Sequence, residues 1–235
     1  MGYTLNLADN AVIVLKEFLE VRDTYPSLKL LKLETGFVIT GHIDFFCSHT
    51  DGKKIKDEYH IDIKIPEDYP EFLPVPYEKD GKISPEYHRL VKGALCLGTP
   101  SEQWSVFNEN KNLLGYIEYL LIPYLFRLSY FDKCGEYPFS DRAHGNLGIL
   151  EAYTSRFGII DKGVLADLMK YCLVVGSSIN KRGKCPCGSL KRTFQCSNHH
   201  DMLLFMIRMP VRIIQAELSS MIQAIKSDEQ LSKRC

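Results

Sequence analysis

The sequence of 235 residues holds no run of 18 or more apolar residues, so its pattern offers no membrane-crossing helix. It has no excess charge of either sign. Lys+Arg and Asp+Glu each number 29 and the formal net charge is zero. That removes the molecule-wide field that draws in nucleic acid or an acidic membrane, and leaves only local patches. There is no internal repeat and no low-complexity tract, which excludes a solenoid. There is no Gly-x-Gly-x-x-Gly and no P-loop, so nothing points to activation of a carboxylate with ATP. The first dozen residues lack the basic start and apolar stretch of a secretory signal. Asn6 stands where a myristoylation pattern after Gly2 needs Ser or Thr.

What is present is enough apolar material for a core. The chain is 45% hydrophobic and 25% charged, too apolar for a disordered polymer. The length fits one large domain, or one of about 150 residues with a smaller attachment. The eight cysteines do not form a disulfide framework. Cys47, Cys96, Cys134, Cys172 and Cys235 are scattered singly, whereas Cys185, Cys187 and Cys196 are bunched. This usage fits a reducing, cytoplasmic compartment with one metal cluster and separate thiols.

Periodicity orders the elements. Val12, Val14, Leu15, Phe18, Leu19 and Val21 predict a helix over residues 10–21, capped by Asp9 or Asn10. Strands are predicted over residues 28–33, 37–46 and 59–65. In the last, Ile61, Ile63 and Ile65 alternate with Asp62 and Lys64, the period of a half-buried strand. Thr35-Gly36 and Asp51-Gly52 mark short turns, so the strands form an antiparallel meander. Pro66, Pro70, Pro74, Pro76 and Pro85 forbid regular helix in the next stretch, and an irregular segment is expected to about residue 109. Residues 111–131 read as a buried helix kinked at Pro123. Helices follow over 147–157 and 164–175. A last helix is expected to about residue 225, with Leu203, Leu204, Met206, Ile207, Val211, Ile214, Leu218 and Met221 needing a partner surface, first of all within the chain itself.

Cys96 lies in the irregular segment, in Lys92-Gly93-Ala94-Leu95-Cys96-Leu97-Gly98. Its leucine neighbours fit a buried thiol. Its place in a loop carried by a sheet fits chemistry. Pro66-Glu67-Asp68-Tyr69-Pro70-Glu71-Phe72-Leu73-Pro74 resembles the Pro-x-x-Tyr-Pro-x-x-x-Pro signature that follows the third strand of ubiquitin-conjugating enzymes. Cys96-Leu97, with Trp104-Ser105 eight residues on, resembles that family's active-site Cys-Leu and Trp-Ser. The resemblance covers about residues 10–130. It implies an α+β, UBC-like fold for residues 1–160, with residues 161–235 as a helical extension. It also implies that Cys96 carries a thioester to another protein's C-terminus.

The family's usual His-Pro-Asn is here Glu86-Tyr87-His88, which puts His88 eight residues before Cys96. A similar exchange marks the prokaryotic branch of the family. By that likeness the imidazole would donate a hydrogen bond to an oxyanion or act as a base toward an amine. Residues 136–145 also resemble a stretch of those prokaryotic proteins, which are encoded in antiphage (CBASS) or bacterial ubiquitination-like operons. Trp104, Asp141 and His144 are then the expected substrate-positioning groups; a capped loop entering the next helix is the plain alternative for the last two. The implied cargo is the tail of a cGAS-like nucleotidyltransferase or a ubiquitin-like protein, loaded by a separate activating enzyme or taken as an already activated tail. Neither a membrane nor nucleic acid is expected as a partner. Two competing readings use the same residues: an inactive binding module on this fold, and a Cys/His hydrolase, for which no orienting third residue is evident.

Cys185-Pro186-Cys187 and Cys196, with His199 and His200 just after, form a Cys-x-Cys-x8-Cys cluster. Three thiolates and one imidazole suit tetrahedral zinc in a structural role. Cys-Pro-Cys-Gly-Ser looks like the SEC-C zinc motif. There the fourth ligand directly follows the third Cys; here that place is Ser197, so His199 or His200 must reach back. Lys181, Arg182, Lys184, Lys191 and Arg192 make the surroundings basic, which reads first as a solvated face.

Overall fold

The computed structural model describes residues 7–84, 90, 92–138, 143, 145–175 and 183–232. Among them the architecture is α+β, in two compact units: Met1–Gly98 with Gln103–Asp141, and Thr99–Glu102 with Arg142–Cys235. The division falls earlier in the chain than the boundary at residue 160 expected from sequence. The reason is that the helix after residue 144 packs on the last helix, within the second unit.

The first unit opens with α1 (Leu7–Thr24) and a four-stranded antiparallel meander in the order β1 (Leu28–Leu33), β2 (Gly36–Ser48), β3 (Lys54–Ile65), β4 (Val75–Glu78). Strand alternation decides its faces. Ile39, Ile43, Ile61 and Ile63 are fully buried, while Thr40 and Asp62, paired across the strands, turn to the other side and hydrogen-bond at 2.6 Å. Gly36 makes the first turn possible. Its φ is +108°, and a Cβ there would lie 2.3 Å from the Ile65 carbonyl oxygen. β4 lies inside the segment expected to be irregular. Pro76 sits in it opposite Ile63, and a short edge strand tolerates a residue without an N–H.

Val14 and Val21 of α1 are buried, but Val12, Leu15 and Leu19 face outward. The Glu17 carboxylate accepts hydrogen bonds from the Tyr69 hydroxyl (2.6 Å) and the Leu113 N–H (2.8 Å), so one side chain ties α1, the Pro-rich segment and the next helix together. Burial holds that carboxyl above its ordinary value. The expected helix near residues 111–131 runs as α3 (Leu113–Tyr116), a π turn (Ile117–Leu121) and α4 (Ile122–Cys134). Asn112 caps its start by accepting from the Gly115 N–H at 2.6 Å. The disturbance expected at Pro123 takes the form of the π turn just before it, where the missing proline N–H forces a change of hydrogen-bond register.

The second unit is helical: α5 (Gly145–Phe157), α6 (Lys162–Val175), α7 (His200–Ile207) and α8 (Val211–Ser232), with α8 packed on α5 and α6. Leu165, Leu168, Met169, Leu203, Met206 and Met221 are fully buried. The single final helix expected from sequence is two helices. The break is at Pro210, which cannot donate within a helix and instead accepts from Ile213 N at 2.9 Å. The apolar stripe of α8 (Ile214, Leu218, Met221) is satisfied within the unit. α2 (Pro100–Glu109) has its first turn in the second unit and its remainder in the first. No described helix is long and apolar enough to cross a membrane.

Candidate functional site

Two of the groups of chemistry-bearing residues that the sequence singles out have defined surroundings. The first is the loop around Cys96. It leaves the sheet at the edge formed by β4, where the Leu95 N–H donates to the Pro76 carbonyl at 2.8 Å. Just before, Leu90 N donates to Ala94 O (2.8 Å) and Gly93 N to Leu90 O (2.7 Å), closing a tight turn that Gly93 permits at φ +80°. Ala94 and Leu95 are buried and act as the anchor, whereas Cys96 and Leu97 are half-buried. Cys96 is a free thiol. Beyond it, the Gln103 side chain donates to the Gly98 carbonyl at 2.8 Å.

α2 then starts in a capping box, Thr99-Pro100-Ser101-Glu102. The Glu102 carboxylate accepts from the Thr99 N–H (3.1 Å), and the Glu102 N–H donates back to the Thr99 hydroxyl (3.3 Å). On the upstream side, Glu78 at the end of β4 accepts from the Asp80 N–H (2.8 Å), the Lys82 N–H (3.2 Å) and the Ile83 N–H (3.3 Å). One buried carboxylate therefore organises the segment that leads toward the thiol loop. Sequence reading missed both devices, though the capping box was visible as Thr-Pro-Ser-Glu.

Trp104 is 7% exposed and packs on Phe107, with ring centroids 6.0 Å apart. Its ring is part of the core under α2, with the Lys111 ammonium 5.8 Å from its centre. His88, Asp141 and His144, the other residues expected near the thiol, lie outside the described residues.

The second group is the cysteine/histidine cluster. A short hairpin builds it. Lys184 bridges Arg192, Cys185 N donates to Lys191 O (2.9 Å), and Thr193 N donates to Gly183 O (2.8 Å). Inside the hairpin, Gly188 at φ +76° lets its N–H turn back to the Cys185 carbonyl at 3.3 Å, so that Cys185 and Cys187 face one point. Two 3-10 turns, Thr193–Gln195 and Ser197–His199, deliver Cys196 and His199, and His199 N donates to Cys196 O at 3.1 Å. One ligand atom each from Cys185, Cys187, Cys196 and His199 lie within 4.8 Å of one another. His200 is not among them; it begins α7.

The edges of this group carry the geometric test. Cys187 Sγ to Cys196 Sγ is 3.7 Å, Cys185 Sγ to His199 Nδ1 is 3.8 Å and Cys196 Sγ to His199 Nδ1 is 3.6 Å. Donors placed at the corners of a tetrahedron, about 2.0–2.3 Å from a zinc ion, are about 3.6–3.8 Å apart. A disulfide needs about 2.05 Å and is excluded. The residues can hold a metal ion, and the set is compatible with zinc. Burial pushes the Cys185 thiol up to about 12 and the His199 imidazole below its ordinary value, while the Ser189 hydroxyl draws the Cys187 thiol down to about 7.

No protein-family model, curated protein or solved structure matches the chain.

Proposed function

We propose that the chain is a ubiquitin-conjugating-enzyme-like acyl carrier on a UBC-like scaffold, with Cys96 as nucleophile and a zinc-clamped helical extension. The observation that carries the reading is the place of Cys96. It is a half-buried free thiol on a loop pinned to the sheet edge at Leu95 and closed ahead of α2 by Gln103. A sheet edge beside a fixed thiol suits an extended acyl tail, because the chemistry needs positioning more than power. The motif order of the sequence supports the same reading.

In the proposed cycle the Cys96 thiolate attacks the carbonyl carbon of an activated C-terminus. The C–S bond forms as the bond to the activating group breaks, and that group departs with the electron pair. A substrate amine then attacks the thioester carbon, the C–S bond breaks with its electron pair on the Cys96 sulfur, and the amine's proton passes to that thiolate, leaving an amide and the free thiol. His88 is the proposed hydrogen-bond donor to the tetrahedral oxyanion, at its expected spacing of eight residues before Cys96. The cargo is proposed to be the tail of a cGAS-like nucleotidyltransferase or a ubiquitin-like protein, in bacterial antiphage defence.

The metal of the cluster is proposed to be zinc. With four protein ligands it has no open position, so its role is to hold the hairpin and the start of α7.

The test presents the purified chain with a cargo-tail peptide synthesised as a C-terminal thioester, followed by non-reducing electrophoresis and mass spectrometry. The native chain gains the mass of the peptide in a bond that reductant cleaves. Cys96→Ser gives a reductant-resistant ester and Cys96→Ala gives none. An adduct that survives in Cys96→Ala overturns the assignment.

A further inference from the structure

The outer face of the sheet carries a second constellation of ligand groups, separate from the cysteine cluster and from the Cys96 loop. The β2–β3 register sets His42 directly opposite His60, and Asp44 opposite Glu58 one step along the same face. The two imidazoles stack with ring centroids 4.7 Å apart and an angle of 11° between their planes. Each Nδ1 faces a carboxylate: His42 Nδ1 lies 3.2 Å from Glu58 Oε1, and His60 Nδ1 lies 3.0 Å from Asp80 Oδ1. One ligand atom each from His42, His60 and Asp80 lie within 4.8 Å of one another.

The chemistry follows from the hydrogen bonds. A carboxylate oxygen can only accept, so each Nδ1 is the donor and carries the proton. In the neutral ring Nε2 is then left with a free lone pair. This carboxylate–imidazole pairing is how proteins fix the tautomer and orientation of a metal-binding histidine and raise its basicity. Two such rings side by side, each held at Nδ1 by its carboxylate and with Asp44 on the same face, offer two nitrogen donors inside a negative field. One divalent cation bound by the two Nε2 atoms is charge-compensated by the carboxylates. Imidazole with carboxylate suits zinc, copper(II) or nickel(II) rather than magnesium or calcium.

We propose that Nε2 of His42 and Nε2 of His60 form a surface site for a divalent transition-metal ion of the zinc class, with the Glu58 carboxylate orienting His42 and the Asp80 carboxylate orienting His60. His42 and His60 are half to one-third exposed, so the ion enters from solvent and keeps water in its remaining positions. The site is therefore open, unlike the four-ligand cluster.

The experiment titrates the full-length chain with zinc chloride while recording histidine ring nitrogen shifts by NMR, with stoichiometry from calorimetry. The expected result is a second zinc equivalent that binds more weakly than the first and moves Nε2 of both His42 and His60. His60→Ala abolishes this equivalent and leaves the first. Asp80→Asn weakens it about tenfold. Both changes are on the surface and leave the circular dichroism spectrum unaltered. A native chain whose His42 and His60 nitrogens do not move overturns the proposal, as does a second equivalent that persists in the His42→Ala, His60→Ala double variant. The cluster is tested apart from this in Cys196→Ser, which removes the first equivalent and keeps the histidine shifts.

Discussion

Glu217 is the sharpest place to perturb the second unit. It sits on α8 with no exposed surface, and its two oxygens are both used. Oε1 accepts from the Ser101 N–H of the α2 first turn at 2.8 Å, and Oε2 accepts from the Tyr153 hydroxyl of α5 at 2.7 Å. Glu217→Ala leaves both donors buried and unpaired, each at about 1–3 kcal/mol. Relief of the carboxylate's own burial offsets part of this, so the expected net loss is about 2–4 kcal/mol. Glu217→Gln keeps an acceptor for Ser101 N–H, and its amide can donate to the Tyr153 oxygen, so the expected change is within about 1 kcal/mol at neutral pH.

The pH dependence has a definite sign. Burial raises the Glu217 carboxyl above its ordinary value, and the nearby Glu102 charge adds to the rise. The stability of the native chain is then fullest below the unfolded carboxylate value of about 4.3 and falls as pH rises through the higher folded value. Gln does not titrate. The Gln variant therefore loses against the native chain in acid and gains on it toward neutral pH.

Urea unfolding followed by far-ultraviolet circular dichroism measures the stabilities, and hydrogen exchange of the Ser101 amide reads the bond itself. With a slope of about 1–3 kcal/mol per molar urea, the Ala variant should unfold about 0.7–4 M earlier. An Ala variant with the native midpoint and native Ser101 exchange refutes the reasoning, and so does a Gln variant as weak as Ala.

If the cluster holds zinc as proposed, Cys196→Ser should lower it from one to none per chain at that site, read by mass spectrometry under native conditions, and speed amide exchange in α7, because α7 starts from the residue after the candidate ligand His199. Gly115→Ala should cost about 2 kcal/mol or more in thermal unfolding, since a Cβ there lies 2.3 Å from the Asn110 carbonyl oxygen and 2.7 Å from its Cβ. Gly93→Ala in the thiol loop meets nothing within 4 Å and carries only the strain of φ +80°, about 1 kcal/mol, so the two melting temperatures should separate in that order.

The elements legible in the sequence are those whose burial follows a period. Ile61, Ile63 and Ile65 alternate and lie in β3, which ends where they predict it but begins five residues earlier, at Lys54; α5 and α6 follow helical spacing within a residue or two. β4 was hidden because its length of four residues includes a proline, which reads as a breaker unless the strand lies at an edge. α2 was hidden by the expectation of a long loop, although Thr99, Pro100 and Glu102 spell out its start. The single helix expected beyond residue 200 divides at Pro210 because apolar spacing continued through a residue that cannot donate.

What the sequence determined by itself is local chemistry: the alternation that makes a meander, and the Cys-x-Cys hairpin with its third cysteine, whose ligands lie within a few residues of one another and need only a turn to meet. Choosing His199 over His200 required the 3-10 turn that ends at His199 and carries its Nδ1 to 3.6 Å from Cys196 Sγ. Longer-range pairings belong to tertiary structure alone. His42 meets His60 only because β2 and β3 pair in one register, and a shift of one residue would send either ring to the core face. Glu217 meets Ser101 across 116 positions of chain, a separation at which no periodicity in the sequence carries information and only the packing of helices brings donor to acceptor.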